Sequence, residues 1–172
     1  MFEVGDSVVS MANGICKITD VVELDMSQNH EKRTYFLLIP VTEENAKVYI
    51  PFDAAEQRMR RTMNKEEAID VIRHISGTEE LSIANEKERE LKYKEAIRSC
   101  DPYQLVRIIK NLYHRREERL AQGKKCTAVD ERYYKIAVHN LHSELAYALD
   151  CPENEVTSII QDYIENRKLD IL

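Results

Sequence analysis

The sequence predicts an α+β protein, with a small N-terminal β-barrel followed by a C-terminal all-α helical bundle. Residues 1–53 contain short segments rich in β-branched residues, separated by turn residues, which is typical of a small barrel. From about Asn64 onward, apolar residues recur at helical spacing. A chain of 172 residues has room for two small domains. We therefore expect domains at residues 1–60 and 61–172.

The predicted barrel depends on four segments with strand-like composition. Residues 4–9, 15–24, 34–39 and 47–51 are rich in valine, isoleucine, leucine and aromatic residues. A polar loop at residues 27–33 separates the second segment from the third. Fewer than 60 residues form this domain, so we expect a thin core whose last strand needs support from the following chain.

The predicted bundle depends on helix start signals and buried stripes. Asn64 with Glu67 forms a capping-box pattern, a second helix covers about residues 85–98, and Asp101 precedes a proline suited to a first helical turn. Thr127 opens a further helix. The residues expected to face inward are Leu105, Ile108, Ile109, Leu112 and Tyr113, then Ile136, Ala137, Leu141, Leu145 and Leu149, and finally Val156, Ile159, Ile160, Tyr163 and Ile164.

The net charge of −6 is unevenly distributed along the chain. Residues 1–76 carry a net charge of −4 and residues 126–172 carry −5, whereas residues 77–125 carry +3. Only the middle stretch offers a phosphate backbone a favourable field. Any DNA binding by the protein alone is therefore expected to be weak and sensitive to salt.

Composition also bears on location and redox state. No apolar run approaches the roughly 20 residues that span a bilayer, and the first residues lack the pattern of a signal peptide. We expect a cytoplasmic protein that does not contact membranes. The four cysteines lie far apart without a C-x-x-C pair, so we expect free thiols.

Enzyme chemistry finds little support in the sequence. The chain has only four glycines and no glycine-rich phosphate loop. His139 and His142, with Glu144, could contribute metal ligands, but two histidines at this spacing without a further clustered ligand are usually packing or surface residues. We expect no enzymatic activity, no cofactor and no metal.

Several motifs follow one another in a specific order along the chain. They are FEVGDSVV at 2–9, NGI at 13–15, YFLLIP at 35–40, VYIP at 48–51, AIRSCD at 96–101, VRIIKNLY at 106–113, LAQGKK at 120–125 and TAVDERYY at 127–134. A V-G-D-x-V-V motif alone occurs in many SH3-like barrels, whereas the order and spacing over both halves are specific. With these motifs the chain resembles the CarD/CdnL family of bacterial RNA polymerase-binding regulators over nearly its whole length.

The resemblance implies an N-terminal Tudor-like barrel, shared with transcription–repair coupling factors, that binds the β subunit of RNA polymerase. Such a barrel can bind by adding its edge strand to a neighbouring sheet. The positions that match the family's contact strands include Val22, Leu24, Met26, Lys47 and Tyr49. Well-known members place arginines at the positions of Leu24 and Tyr49, so we expect a more apolar contact here.

The resemblance also implies a helical domain at the upstream edge of the opening promoter. Family members commonly insert a tryptophan into the minor groove there, as wedging side chains do. This chain has no tryptophan, and residues 85–87 offer nothing aromatic. Either Tyr93, about two turns further along, or another group substitutes weakly, or the wedge is missing and the open complex is stabilised less. We favour the second interpretation.

Phosphate contacts require only positive charge within reach. The candidates fall in two groups, one on the second helix and one near the start of the helix that Thr127 opens. Glutamates interleave the first group and could instead pair with it as a solvated helix face. The candidate DNA-binding residues are Lys87, Arg89, Lys92, Lys94, Lys124, Lys125, Arg132 and Lys135.

Together, these features predict a monomeric transcription regulator that binds the polymerase β subunit through its barrel. Its helical domain would contact promoter DNA weakly and without sequence specificity, and so modulate open-complex stability. The alternative is an adaptor that binds polymerase or another protein without engaging DNA, because the wedge tryptophan is absent.

Overall fold

The structure, a computed structural model, describes residues 2–25 and 32–166. The chain divides into two compact units, Met1–Thr62 and Met63–Leu172. Within the described residues, the first unit contains a five-stranded antiparallel sheet and the second is all-helical. None of the helices in these residues is long and apolar enough to cross a membrane.

The first unit contains strands of 3 to 11 residues, of which β1, β4 and β5 are short. The strands pair antiparallel in the order β4-β3-β2-β1-β5, which confirms the α+β class, whereas closure of the sheet into a barrel stays a prediction. The sequence did not predict β5, because three residues without apolar alternation give no strand signal. The elements are β1 (Ser7–Ser10), β2 (Gly14–Leu24), β3 (Arg33–Pro40), β4 (Val48–Pro51), a 3-10 turn (Phe52–Ala54), α1 (Ala55–Arg58) and β5 (Met59–Arg61).

One face of this sheet forms the core of the first unit. Phe36 is buried there, stacked on Phe52 with ring centroids 4.8 Å apart and edge-on to Phe2 at 6.2 Å. The buried apolar side chains are Val8, Cys16, Ile18, Phe36, Leu38, Ile50, Ala55 and Met59. This small cluster gives the thin core that the length of the unit predicts.

A β-bulge interrupts the β2–β3 ladder at Thr19. Ile18 pairs with Leu38, but the next pair along β3 joins Leu37 to Asp20, so Thr19 is the extra residue. Because strand side chains alternate between faces, the bulge inverts the alternation along β2. Ile18 and Val22 are four residues apart, so simple alternation would place both side chains on the core face. Because of the bulge, Val22 lies on the opposite face.

The second unit contains five helices in its described residues. The predicted capping box is present, since the Asn64 side chain accepts from the Glu67 amide and the Glu67 carboxylate accepts from the Asn64 amide. Asp101 and Thr127 also cap helices as predicted. The elements are α2 (Lys65–His74), a 3-10 turn (Glu86–Glu88), α3 (Arg89–Arg98), α4 (Pro102–Ala121), α5 (Ala128–Leu149) and α6 (Glu153–Asn166).

Most of the predicted inward residues of the helices are buried or packed against the core, but three are exposed. Tyr113, Ile136 and Ile164 have 50%, 38% and 48% of their surface exposed, so predicting them inward was wrong. Tyr113 and Ile136 each adjoin a buried residue, Leu112 and Ala137, and one residue turns a helix by about 100°. An apolar residue next to a buried residue therefore points away from the buried face of the helix.

Asp150, which ends α5, adopts the left-handed conformation with φ 54° and ψ 49°. Asp150→Gly is expected to stabilise the protein by about 1 kcal/mol, because glycine adopts this conformation without a Cβ clash. Urea unfolding of the full chain measures the change. Asp150→Ala is the control, since it keeps the Cβ; an equal gain from alanine would contradict this explanation.

Candidate functional site

The face of the sheet opposite the core carries a group of apolar and aromatic residues, together with the charged residues Lys17, Asp20 and Arg33. Directly paired residues lie on the same face, so Val22 and Tyr35 share it, as do Leu37 and Tyr49. Each of these side chains is half-buried. We name this surface the outer face and define it as Val22, Leu24, Tyr35, Leu37, Ile39 and Tyr49.

Three of the five residues predicted to bind polymerase lie on the outer face: Val22, Leu24 and Tyr49. Lys47 is exposed and directly precedes β4. Met26 lies outside the described residues. Among the strands that the structure describes, β4 ends the sheet and pairs on one side only, with β3. The first unit thus offers an apolar surface next to a strand edge.

In the second unit, Tyr93 of α3 organises a polar network. Its side chain is fully buried, and its hydroxyl donates to Asn111 Oδ1 and accepts from Arg89 Nη1, both at 3.0 Å. Burial raises the pKa of the Tyr93 hydroxyl, which keeps it protonated. The ring is therefore not presented to solvent.

Helix α4 holds the segment that leads into α3. Lys110 Nζ donates to the carbonyl oxygens of Ser76 at 3.0 Å and Thr78 at 2.6 Å. The Asn111 side-chain amide donates to the Leu81 carbonyl at 3.0 Å, and the Leu81 amide donates to the Arg107 carbonyl at 3.1 Å. These contacts fix the entry to α3 against α4.

Two arginines converge on Glu86 at the start of α3. Arg89 Nε donates to Glu86 Oε2, and Arg115 of α4 donates to Glu86 Oε1 at 2.7 Å and to Asp130 of α5 at 2.8 Å. The hydrogen bond from Arg89 lowers the pKa of Glu86, and the one from Arg115 lowers it further. Arg89, a predicted DNA contact, is therefore engaged within the unit.

Glu90 of α3 receives three donors on one oxygen. Lys94 Nζ lies 3.1 Å from Glu90 Oε1, while Arg132 Nη2 and the Tyr133 hydroxyl each lie 3.0 Å from the same atom. Hydrogen bonds from Lys94 and Tyr133 lower the pKa of Glu90. This contact holds the Arg132 side chain, which belongs to α5, against α3.

Four of the eight candidate DNA-binding residues contact acidic side chains. Lys92 pairs with Glu95 at 3.2 Å, and Lys94 and Arg89 also pair with glutamates of their own segment, as in the solvated-face alternative, while Arg132 pairs with Glu90 from α5. Lys87, Lys124, Lys125 and Lys135 are exposed. Lys124 donates to Gln122 Oε1 at 2.9 Å, and Lys135 lines a cavity of about 290 Å³ between α4 and α5.

Sequence reasoning missed Glu90 and Tyr133 as partners of the candidate DNA-binding residues Lys94 and Arg132. The Glu90–Lys94 spacing on one helix was a usable signal for an ion pair, and the sequence indicated that alternative. The contacts of Glu90 with Arg132 and Tyr133 join residues more than 40 positions apart, and no local pattern predicts them.

Two of the three residues considered as metal ligands have contacts within the unit. Glu144 is buried and accepts a hydrogen bond from the Met63 amide at 2.9 Å, while His139 Nδ1 lies 3.0 Å from Glu153. Within the described residues, no group of three or more metal-ligating side chains is found.

Comparison with protein families matches both units. Residues 2–63 match the family model of the CarD-like/TRCF RID domain, and residues 67–161 match that of the CarD C-terminal domain. The chain belongs to the CarD family. It is therefore an RNA polymerase-interacting transcription regulator, in a family of non-enzymatic regulators. A search of curated proteins found no match.

In this CarD family protein, Tyr93→Phe is expected to lower the free energy of unfolding by about 1–3 kcal/mol, because it removes a buried hydroxyl that bonds Arg89 and Asn111. Chemical denaturation measures the loss. Tyr113→Phe removes the same atom from a half-exposed side chain and should change stability much less. Equal effects of the two substitutions would contradict the role of the network.

Proposed function

We propose that this CarD family protein binds the β subunit of RNA polymerase through its first unit. From there its helical unit contacts promoter DNA near the upstream edge of the transcription bubble and modulates open-complex stability. The roles are assigned to residues 1–60 and 61–172 respectively. The observation that carries the proposal is the apolar outer face beside the end strand of the sheet, in a domain of a polymerase-interacting family.

The polymerase contact is proposed to combine the edge of β4 with the outer face. Main-chain groups on the free side of β4 can pair with a strand of the β subunit, which gives affinity. The half-buried Val22, Leu24 and Tyr49 then provide apolar contacts, with exposed Lys47 beside β4. Met26 is retained as a predicted contact from the sequence. A sheet that closes further into a Tudor-like barrel would keep this surface outward.

The DNA contact is proposed to be weak, independent of sequence and carried by the helical unit of a monomer in the cytoplasm. Exposed Lys87, Lys124, Lys125 and Lys135 are available to phosphates, whereas Arg89 is engaged internally. Because the chain has no tryptophan, melted DNA would be held by charge rather than by an aromatic wedge.

A second candidate function is a polymerase-bound adaptor that does not engage DNA. The observation in its favour is that Lys92, Lys94 and Arg132 already pair with glutamates of α3. Paired cations contribute less to the field that attracts phosphates. The two candidates differ in whether the charge of the helical unit affects the open complex.

Tyr49→Glu is expected to weaken binding of the full chain to purified RNA polymerase at least about tenfold, because it places a charge in a desolvated apolar contact. Biolayer interferometry with immobilised polymerase measures the affinity. Thr42→Glu adds the same charge at an exposed turn and should leave the affinity nearly unchanged. Unchanged binding by the Tyr49 variant would exclude this part of the outer face.

Replacing Lys124 and Lys125 together by glutamate is expected to shorten the open-complex lifetime, because two candidate phosphate contacts reverse their charge. A competitor-challenge assay with polymerase and a promoter fragment measures the lifetime. The control replaces exposed Lys65 and Arg73 of α2 by glutamate, which changes the charge of the same unit equally. An unaltered lifetime with intact polymerase binding would favour the adaptor.

A further inference from the structure

The three donors around Glu90 are arranged as in an anion-binding site. Lys94 belongs to α3, while Arg132 and Tyr133 belong to α5, yet all three point to the single atom Glu90 Oε1 from 3.0–3.1 Å. By comparison, the Lys92–Glu95 pair on the same helix has one donor, at 3.2 Å. Three donors that converge on one oxygen resemble the coordination of a phosphate oxygen.

Packing positions part of this site independently of Glu90. The Tyr133 side chain is 5% exposed, and its ring centroid lies 5.5 Å from that of Tyr93. The Arg132 guanidinium lies over the Tyr133 ring, 4.9 Å from its centroid. The hydroxyl therefore keeps its place when Glu90 moves. The Lys94 and Arg132 side chains are about half exposed, so an anion from solvent can reach them.

We propose that Lys94, Arg132 and the Tyr133 hydroxyl form a phosphate-binding site that the Glu90 carboxylate occupies until a DNA phosphodiester displaces it. Carboxylate and phosphodiester each carry one negative charge and accept charge-assisted hydrogen bonds, so the exchange breaks no covalent bond. The proposal rests on the proposed function, because promoter DNA supplies the phosphate.

Because the Glu90 carboxylate occupies the site, a phosphate can bind only by displacing it. A free DNA fragment must compete with a carboxylate that is always next to the donors, so binding in solution is weak. When polymerase holds the protein beside the promoter, the effective concentration of the phosphate is raised and displacement becomes favourable. The site thus contributes mainly within the polymerase–promoter complex.

The test compares Glu90→Gln with Glu95→Gln in the full chain. Both substitutions remove one exposed negative charge from α3, but only Glu90→Gln removes the charge on which the three donors converge. Affinity for a DNA fragment with a melted segment is measured at several salt concentrations. Glu90→Gln is expected to bind several-fold tighter than Glu95→Gln, with a log–log salt dependence steeper by about 1. Equal affinities and slopes would overturn the proposal.

Two further experiments test the role of Tyr133 and the identity of the ligand. Tyr133→Phe in the Glu90→Gln background keeps the ring and should cancel part of the gain; an undiminished gain would remove Tyr133 from the site. Inorganic phosphate, followed by NMR shifts of the Arg132 guanidinium, should perturb the Glu90→Gln chain more than the Glu95→Gln chain. A phosphate response without a DNA difference would overturn DNA as the ligand while leaving an anion site.

The site and the proposed function fail separately. If Glu90→Gln and Glu95→Gln behave alike while reversal of Lys124 and Lys125 still shortens the open-complex lifetime, the phosphate site is refuted and the regulator remains. If that reversal has no effect but inorganic phosphate selects the Glu90→Gln chain, the regulator's DNA contact is refuted instead.

Discussion

The buried hydroxyl of Tyr93 is the interaction on which the candidate surface of the helical unit depends. A phenol can enter a core only if its oxygen is hydrogen-bonded, and here Arg89 and Asn111 provide the partners. The Asn111 side-chain amide also donates to the Leu81 carbonyl, so the residue that accepts from Tyr93 also holds the segment before α3. Tyr133 of α5 is buried in a similar way, and its hydroxyl donates a hydrogen bond to Glu90 of α3. The surface where α3 meets α4 and α5 is therefore polar and ordered because two aromatic rings are buried beneath it.

The first unit differs, because its sheet carries apolar residues on both sides. Core side chains such as Phe36 and Leu38 fill one side, while their neighbours Leu37 and Ile39 remain half-exposed on the other. A strand with apolar residues at nearly every position is usually covered on both faces. The partial cover of the outer face is thus consistent with a partner surface, and a CarD family domain provides the class of partner.

The sequence predicted what local rules determine. Asn64, Asp101 and Thr127 cap helices as expected, because a capping residue acts on its own first turn. β5 escaped prediction since its three residues depend on pairing with β1, which is distant in the chain. The pairing of Arg132 with Glu90 escaped for the same reason. The resemblance to a family supplied the candidate surfaces, whereas the partners of individual charged residues required the fold.

The bulge at Thr19 determines which residues of β2 belong to the outer face. If Thr19 instead paired regularly and the bulge were lost, simple alternation would turn Val22 and Leu24 toward the core and Val21 and Glu23 outward. The outer face would then exchange two aliphatic side chains for a valine and a carboxylate, although no residue had changed. The chemical character of the outer face is therefore encoded in the backbone geometry of β2 as much as in its composition.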